Sequence, residues 1–222
     1  METNTIRSDF DKLALLDEDS WDHNSHYHNY LLKQIPANAT QALEIGCGTG
    51  AFSRQLSGYV ERVLALDLSP EMIKIAQQRS AQYPNIEYQI ADVLTFDFPE
   101  QQFDCIVSIA TLHHLSLEST LRKLKSALKT NGILLVLDLY QAEGLRDWVM
   151  DMLAVPVHTI LKLKHTGRIR EPKEVIEAWA AHGTNDTYLC VSEVRRICGD
   201  LLPGAIIRKH LLWRYSLAWK NA

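Results

Sequence analysis

The 222-residue sequence is poor in the features that fix chemistry by cysteine. Its four cysteines (Cys47, Cys105, Cys190 and Cys198) are scattered, with no CxxC and no paired spacing. Neither a disulfide framework nor a structural zinc site is expected from them, and free thiols in a reducing cytoplasm are the plain reading. Charge of one sign is also lacking. Lys and Arg number 23 against 27 Asp and Glu, a net −4, too mild for a general polyanion binder. No long apolar run occurs: Trp148–Leu163 is interrupted by Asp151, Pro156 and His158, and it falls short of the roughly 18 uncharged residues that a membrane span needs. The first 20 residues are acidic and carry no basic start or apolar stretch, so no signal peptide is expected. Repeats, low-complexity segments and Pro/Gly/Ser linkers are absent. What remains, 46% hydrophobic and 23% charged residues, describes a cytoplasmic globular domain able to bury a sizeable core.

The apolar residues fall into short runs separated by amphipathic stretches. Ala42–Ile45, Val63–Leu66, Ile86–Ile90, Phe103–Ile109 and Gly132–Leu139 read as strands. Ser69-Pro70-Glu71 offers an N-cap, a proline at the first helical position and an early acid ahead of a helix over Met72–Gln82. Ser119–Lys129 carries Leu121, Leu124 and Leu128 at helical spacing. This alternation implies right-handed βαβ units and a parallel sheet with helices on both faces. The tail differs. After a helix over Val191–Leu202, two strands, Ala205–Lys209 and Leu211–Lys220, have only His210 and its neighbours between them. A connection that short permits only an antiparallel pair. The stretch 141–190 reads as a helical cap, within a single domain over 1–222.

Ligands of such sheets bind beyond the carboxyl ends of the strands. Leu43-Glu44-Ile45-Gly46-Cys47-Gly48-Thr49-Gly50 follows the first strand and opens a helix. Glycines suit a sharp turn whose backbone approaches a ligand, and the helix start favours an anionic group. Gly46-x-Gly48-x-x-Ala51 also satisfies the dinucleotide fingerprint, so the loop alone leaves the ligand open. Asp67 stands after the second strand, 21 residues beyond Gly46, where a carboxylate accepts ribose hydroxyls. Asp92 stands after the third, where it can accept from an exocyclic amine such as adenine N6. Three acids after three successive strands, with Glu44 the first, outline an adenosine pocket.

On these residues, with Phe103-Asp104-Cys105-Ile106-Val107-Ser108 and Leu128-Lys129-Thr130-Asn131-Gly132-Ile133-Leu134, residues 42–140 resemble the class I S-adenosylmethionine-dependent methyltransferases. Thr130-Asn131 departs from the Pro-Gly frequent at that turn in the family. Trp21–His28 and Arg214–Leu217 are similar to a group of small bacterial members. The resemblance implies a Rossmann-like, doubly wound seven-stranded α/β sheet, mostly parallel with an antiparallel last strand. It implies S-adenosyl-L-methionine as cofactor and S-adenosyl-L-homocysteine as product. Gly46, Cys47, Gly48, Thr49 and Gly50 would border the amino-acid part, with Glu44 supporting the loop or the amine. Asp67 would take the ribose, Leu68 and Met72 would flank the adenine, and Asp92 would bind N6 with the Val93 backbone at the ring edge. Ile109 and Ala110 would lie beneath the methionine portion. Helices within residues 1–40 would form a lid, with Trp21, Tyr27 and His28 as candidates. Residues 1–22, with seven acids against two bases, would be a frayed terminus.

Methyl transfer from a sulfonium needs alignment and exclusion of water. It can also need a base, and an imidazole suits that task. His113 and His114, after the fourth strand, are the catalytic candidates. Only Asp138 stands at the end of the fifth strand, so no metal is expected. Trp148, Met150, Met152, Leu153 and Val157 would line an apolar pocket or pack on the sheet edge. Lys162, Lys164, Arg168 and Arg170 form an acid-free basic run, read as a solvated face or as a contact for an anionic substrate or an RNA backbone. The acceptor is expected to be a small molecule, methylated at O, N or C, with RNA as the alternative. No [Asp/Asn/Ser]-Pro-Pro-[Tyr/Phe] follows the fourth strand, which disfavours DNA. A nicotinamide-dependent oxidoreductase and a non-catalytic cofactor-binding protein are the remaining alternatives. No membrane partner is expected, and the sequence does not define an oligomeric state.

Overall fold

Period-two alternation of apolar side chains gives the chain a sheet with two buried faces. In strand β1 (Gln41–Ile45) Leu43 and Ile45 enter one core while Ala42 enters the other. Strand β4 (Phe103–Ile109) divides in the same way, Ile106 from Cys105 and Val107. The computed structural model describes residues 3–184 and 186–222. The other strands are β2 (Arg62–Asp67), β3 (Ile86–Ile90), β5 (Leu128–Leu139), β6 (Ile206–His210) and β7 (Arg214–Lys220). Their order is β3-β2-β1-β4-β5-β7-β6. Strands β1 to β5 are parallel, and β7 runs antiparallel to both β5 and β6. The doubly wound sheet with an antiparallel last strand is therefore present as expected. Strand order reverses between β1 and β4, the position where ligands of such sheets sit.

Leu31 and Leu32 of α2 (His28–Leu32) and Phe52 and Leu56 of α3 (Ala51–Leu56) cover one face. Leu121 and Leu124 of α5 (Leu117–Ala127) and Val194 and Cys198 of α8 (Val191–Leu201) cover the other. Each fully buried Leu contributes about 1.5–3 kcal/mol. Helix α4 (Pro70–Arg79) begins as expected, Ser69 Oγ accepting from the Met72 N–H at 3.1 Å.

Several boundaries differ from the sequence reading: the helix expected over Met72–Gln82 ends at Arg79, and the one expected over Ser119–Lys129 is α5, ending at Ala127 where Leu128 turns into a strand. Strand β5 starts at Leu128, which pairs with Phe103, before the register shifts to Cys105 opposite Ile133. The stretch around Asn131 (φ +67°) is thus a bulge within a strand, tied to the tail where Asn221 N–H meets Gly132 O at 2.9 Å. Strand β7 starts at Arg214 because Leu212 and Trp213 take left-handed φ values of +62° and +58° in the hairpin turn. The expected frayed terminus is helix α1 (Thr3–Leu16), whose Leu13 and Ala14 bury against Met72. By contrast the Trp21–Tyr30 segment, expected as a helix, holds one 3-10 turn at Ser25–Tyr27 and the five-residue α2.

Residues 141–190 supply α6 (Gly144–Thr166) and α7 (Lys173–Gly183). Only Val157 of the five apolar candidates there packs on the core. Trp148, Met150, Met152 and Leu153 turn outward with Leu145, Val149, Ile160 and Leu163, Trp148 being 68% exposed. Those four neither line a pocket nor pack on the sheet edge, the two expected alternatives, but face solvent, since Asp147 and Ala154 hold the inner side of the helix.

Candidate active site

The loop after β1 is held by backbone geometry that only glycine tolerates. Gly46 has φ +70°, and a Cβ there would collide with the Thr111 side chain; at Gly50, φ +78°, it would collide with the Tyr88 hydroxyl. Gly46 N–H and Cys47 N–H both donate to the Leu66 carbonyl, at 2.8 and 3.0 Å. Gly48 is different: a Cβ there would meet nothing within 4 Å. The open space over its backbone fits a ligand lying on the loop.

Asp67, at the end of β2, joins two loops. Its Oδ2 accepts from Gly48 N–H at 2.8 Å and its Oδ1 from Ser69 N–H at 2.9 Å. Burial raises its pKa and these backbone donors oppose the rise. Each oxygen keeps a lone pair for a ligand hydroxyl. Asp92 Oδ1 accepts from Leu94 N–H at 2.8 Å and so closes the turn after β3, with Val93 buried beside it. Glu44 lies under the loop, 2% exposed. Its Oε2 accepts from Ser53 Oγ at 2.5 Å, and burial pushes its pKa up to about 8. It supports the loop through α3. Cys47 is buried as well, which raises its thiol pKa. Ile109 ends β4, and Ala110 follows with φ +48°. A non-glycine residue held there is strained backbone of the kind that collects at functional sites.

The end of β4 also carries the two histidines. His113 Nδ1 lies 2.6 Å from Asp138 Oδ1, and its backbone N–H donates to Oδ2 at 3.0 Å. With the carboxylate accepting, Nδ1 holds the hydrogen and Nε2 is left as an acceptor. His114 Nδ1 stands 3.3 Å from Asp186 Oδ1. Burial and then the adjacent His113 ring hold the His114 pKa down to about 4, so this ring is neutral at pH 7. Asp186 Oδ2 accepts from the Tyr188 hydroxyl at 3.0 Å, and His182 Nε2 lies 3.7 Å from that oxygen.

Helix α1 closes this end of the sheet. Asp11 Oδ1 accepts from Ser69 Oγ at 2.5 Å. Asp17 Oδ2 accepts from Thr49 Oγ1 at 2.8 Å and pairs with Arg79. Phe10 sets its ring edge against His114 and His182, with centroids 5.6 and 4.8 Å away.

Residues 43–136 match the model of the methyltransferase domain family. An uncharacterised methyltransferase of Mycobacterium bovis is 30% identical over 207 residues, covering 90% of this chain and 96% of the relative. The chain is a class I S-adenosylmethionine-dependent methyltransferase. Among solved structures the fold is shared with the N-methyltransferase NodS from Bradyrhizobium japonicum in complex with S-adenosyl-L-homocysteine (TM-score 0.62, 21% identity, 98% of each chain). It is also shared with a SAM-dependent methyltransferase from Aquifex aeolicus (TM-score 0.60, 18% identity, 100% of each chain).

The methyltransferase brings its sequence-marked residues to one edge: Glu44 and Asp67 lie in the last residues of β1 and β2, and the 46–50 loop, Asp92, Ala110, His113 and His114 follow the carboxyl ends of neighbouring parallel strands. Leu68 lies between Asp67 and Ser69, and Met72 buries under α1. The three lid candidates fall elsewhere. Trp21 stacks on His165 of α6 at 5.5 Å, Tyr27 donates to Leu211 O, and His28 Nδ1 meets Gln55 at 3.1 Å. They fasten the N-terminal segment to the body, while α1 takes the covering position. Two of the four residues of the basic run pair within the chain. Lys162 pairs with Glu171 at 2.5 Å and Arg168 with Glu18 at 2.9 Å. Sequence reading missed Phe10, Asp17, His182 and Asp186. The i,i+4 pair of His182 and Asp186 was the available signal.

Proposed function

We propose that this methyltransferase moves the methyl group of S-adenosyl-L-methionine to an O, N or C atom of a small-molecule acceptor. Bound on the open backbone of Gly48, the sulfonium supplies an activated methyl carbon for in-line displacement. The 46–50 loop aligns its amino-acid part, Asp67 accepts from the ribose hydroxyls, Asp92 accepts from adenine N6, and Leu68 and Met72 flank the ring. Ile109 and Ala110 support the methionine portion. His113, oriented by Asp138, and His114 face the acceptor's nucleophile and set its protonation.

The observation that carries the small-molecule reading is the enclosure of the histidine pair. Their side chains are only 7% and 6% exposed, and Phe10 of α1 and His182 of α7 pack against His114. That enclosure suits a small acceptor better than a polynucleotide backbone, and Lys162 and Arg168 of the basic run pair with Glu171 and Glu18. The NodS neighbour, an N-methyltransferase, adds weight to nitrogen among the three atoms.

Two measurements test the reading. Calorimetric titration should give micromolar binding of S-adenosyl-L-methionine and S-adenosyl-L-homocysteine and no heat with NAD. Incubation with methyl-labelled donor should then place label in a metabolite pool and none in an RNA pool; label in RNA alone would overturn the small-molecule acceptor.

A further inference from the structure

The cluster at the end of β4 has a second property that the reading above does not use. One ligand atom from each of His113, His114 and Asp186 lies within 4.8 Å of the other two. The three side chains are 7%, 6% and 3% exposed. Each of two has its outer side already fixed. Asp138 holds His113 Nδ1 at 2.6 Å, which leaves Nε2 available as a ligand, and the Tyr188 hydroxyl holds Asp186 Oδ2 at 3.0 Å, which leaves Oδ1. Among the described residues Asp186 Oδ1 is buried and makes no hydrogen bond, His114 Nδ1 standing 3.3 Å away without hydrogen-bond geometry. A carboxylate oxygen left so is costly unless a cation or donor meets it. His182 turns Nε2 toward Asp186 Oδ2 at 3.7 Å, while its Nδ1 stands 3.5 Å from Asp9 Oδ2.

We propose that His113, His114 and Asp186 hold a divalent transition-metal ion of the zinc class. Two imidazoles and a carboxylate suit such ions, and the soft thiolates that would turn the choice elsewhere are absent from the cluster. An outer carboxylate on one ligand histidine and a phenol on the ligand carboxylate are the outer partners that fix ligand orientation in metal sites. Three protein ligands leave at least one coordination position open, the arrangement of catalytic rather than structural ions. From the sequence no metal is expected, since only Asp138 follows a neighbouring strand. The second carboxylate arrives from the connection between α7 and α8, about 70 residues downstream of the histidines.

For its meaning, though not for its existence, the site rests on the acceptor reading above. There the open position faces the acceptor, whose hydroxyl or amine binds the ion and is made more acidic by it. His113 and His114 then set the acceptor's protonation through the ion they share. Asp138 is a positioning residue for His113.

The test uses the untagged full chain, stripped with EDTA, dialysed and titrated with Zn²⁺ and, for its visible spectrum, with Co²⁺. One equivalent per chain is expected, with a tetrahedral or five-coordinate Co²⁺ absorption. Asp186→Asn and His114→Gln should each weaken the Kd by at least about 100-fold, and Asp138→Asn by about 10- to 100-fold. Melting curves and the binding of S-adenosyl-L-methionine by each variant establish that it is folded. Absence of stoichiometric metal in the folded chain, or full retention in both Asp186→Asn and His114→Gln, overturns the proposal. Metal bound without S-adenosyl-L-methionine would overturn the proposed cofactor site instead, so the two failures are distinguishable.

Discussion

The two halves of the site are built in opposite ways. The proposed cofactor half is local: Glu44 lies within β1, Asp67 ends β2, and the glycine loop and Asp92 follow β1 and β3, all within 49 residues of sequence. The proposed acceptor half joins four remote pieces: Phe10 of α1, His113 and His114 after β4, Asp138 of β5, and Asp186 beyond α7. Local geometry is set by strand, turn and helix start, and any chain with that pattern presents those groups in that order. Remote geometry is set by packing, here by α1 on α4 and α7 and by the Phe10 ring against two imidazoles. A common donor can be gripped by a short motif, whereas an acceptor peculiar to one enzyme is met by segments free to vary.

Four changes would break or sharpen that contrast. Gly46→Val should have the largest effect. Forcing φ +70° on a β-branched residue costs about 1–3 kcal/mol, and the collision with Thr111 adds to this. Binding heat for S-adenosyl-L-methionine should vanish and the melting temperature should drop. His113→Gln should lower turnover by about 10²- to 10⁴-fold while cofactor affinity stays within a few-fold. If affinity fell equally, the two halves would not be separable. Asp67→Ala removes charge-assisted bonds of about 1.5–3 kcal/mol and should weaken cofactor affinity by roughly 10- to 150-fold; unchanged calorimetry would remove Asp67 from the cofactor half. The mildest change is Glu44→Gln. A carboxyl raised to about 8 in the folded chain stabilises fully below its ordinary value near 4.3. That contribution is lost as pH rises through 8. Wild-type melting temperature should therefore fall from pH 5 to 8 relative to the variant, and parallel curves would show that Glu44 does not titrate in that window.

Legibility followed the same division. The doubly wound sheet and its antiparallel end were readable from strand spacing and the short last connection, and the glycine loop and acids stand at the strand ends where the sequence put them because such positions are dictated by backbone turns. Boundaries were lost where the chain takes left-handed turns without glycine, as at Asn131, Leu212 and Trp213. Helix α1 was unreadable because its acids suggested a solvated end. Asp11 and Asp17 in fact meet Ser69, Thr49 and Arg79, partners that lie 32 to 62 residues away. The apolar face of α6 was misleading in the other direction, since Trp148 and Met152 carry the composition of a pocket lining and point away from the body.

Helix α1 has a thermodynamic consequence. Through Asp11 it touches the cap of α4, and Asp17 just beyond its end reaches the glycine loop; through Phe10 it touches the histidine cluster. Any molecule that fastens this element from one side does so for the other, and free-energy coupling is reciprocal. The factor by which cofactor tightens acceptor is then the factor by which acceptor tightens cofactor, and one titration in each order measures the same number twice.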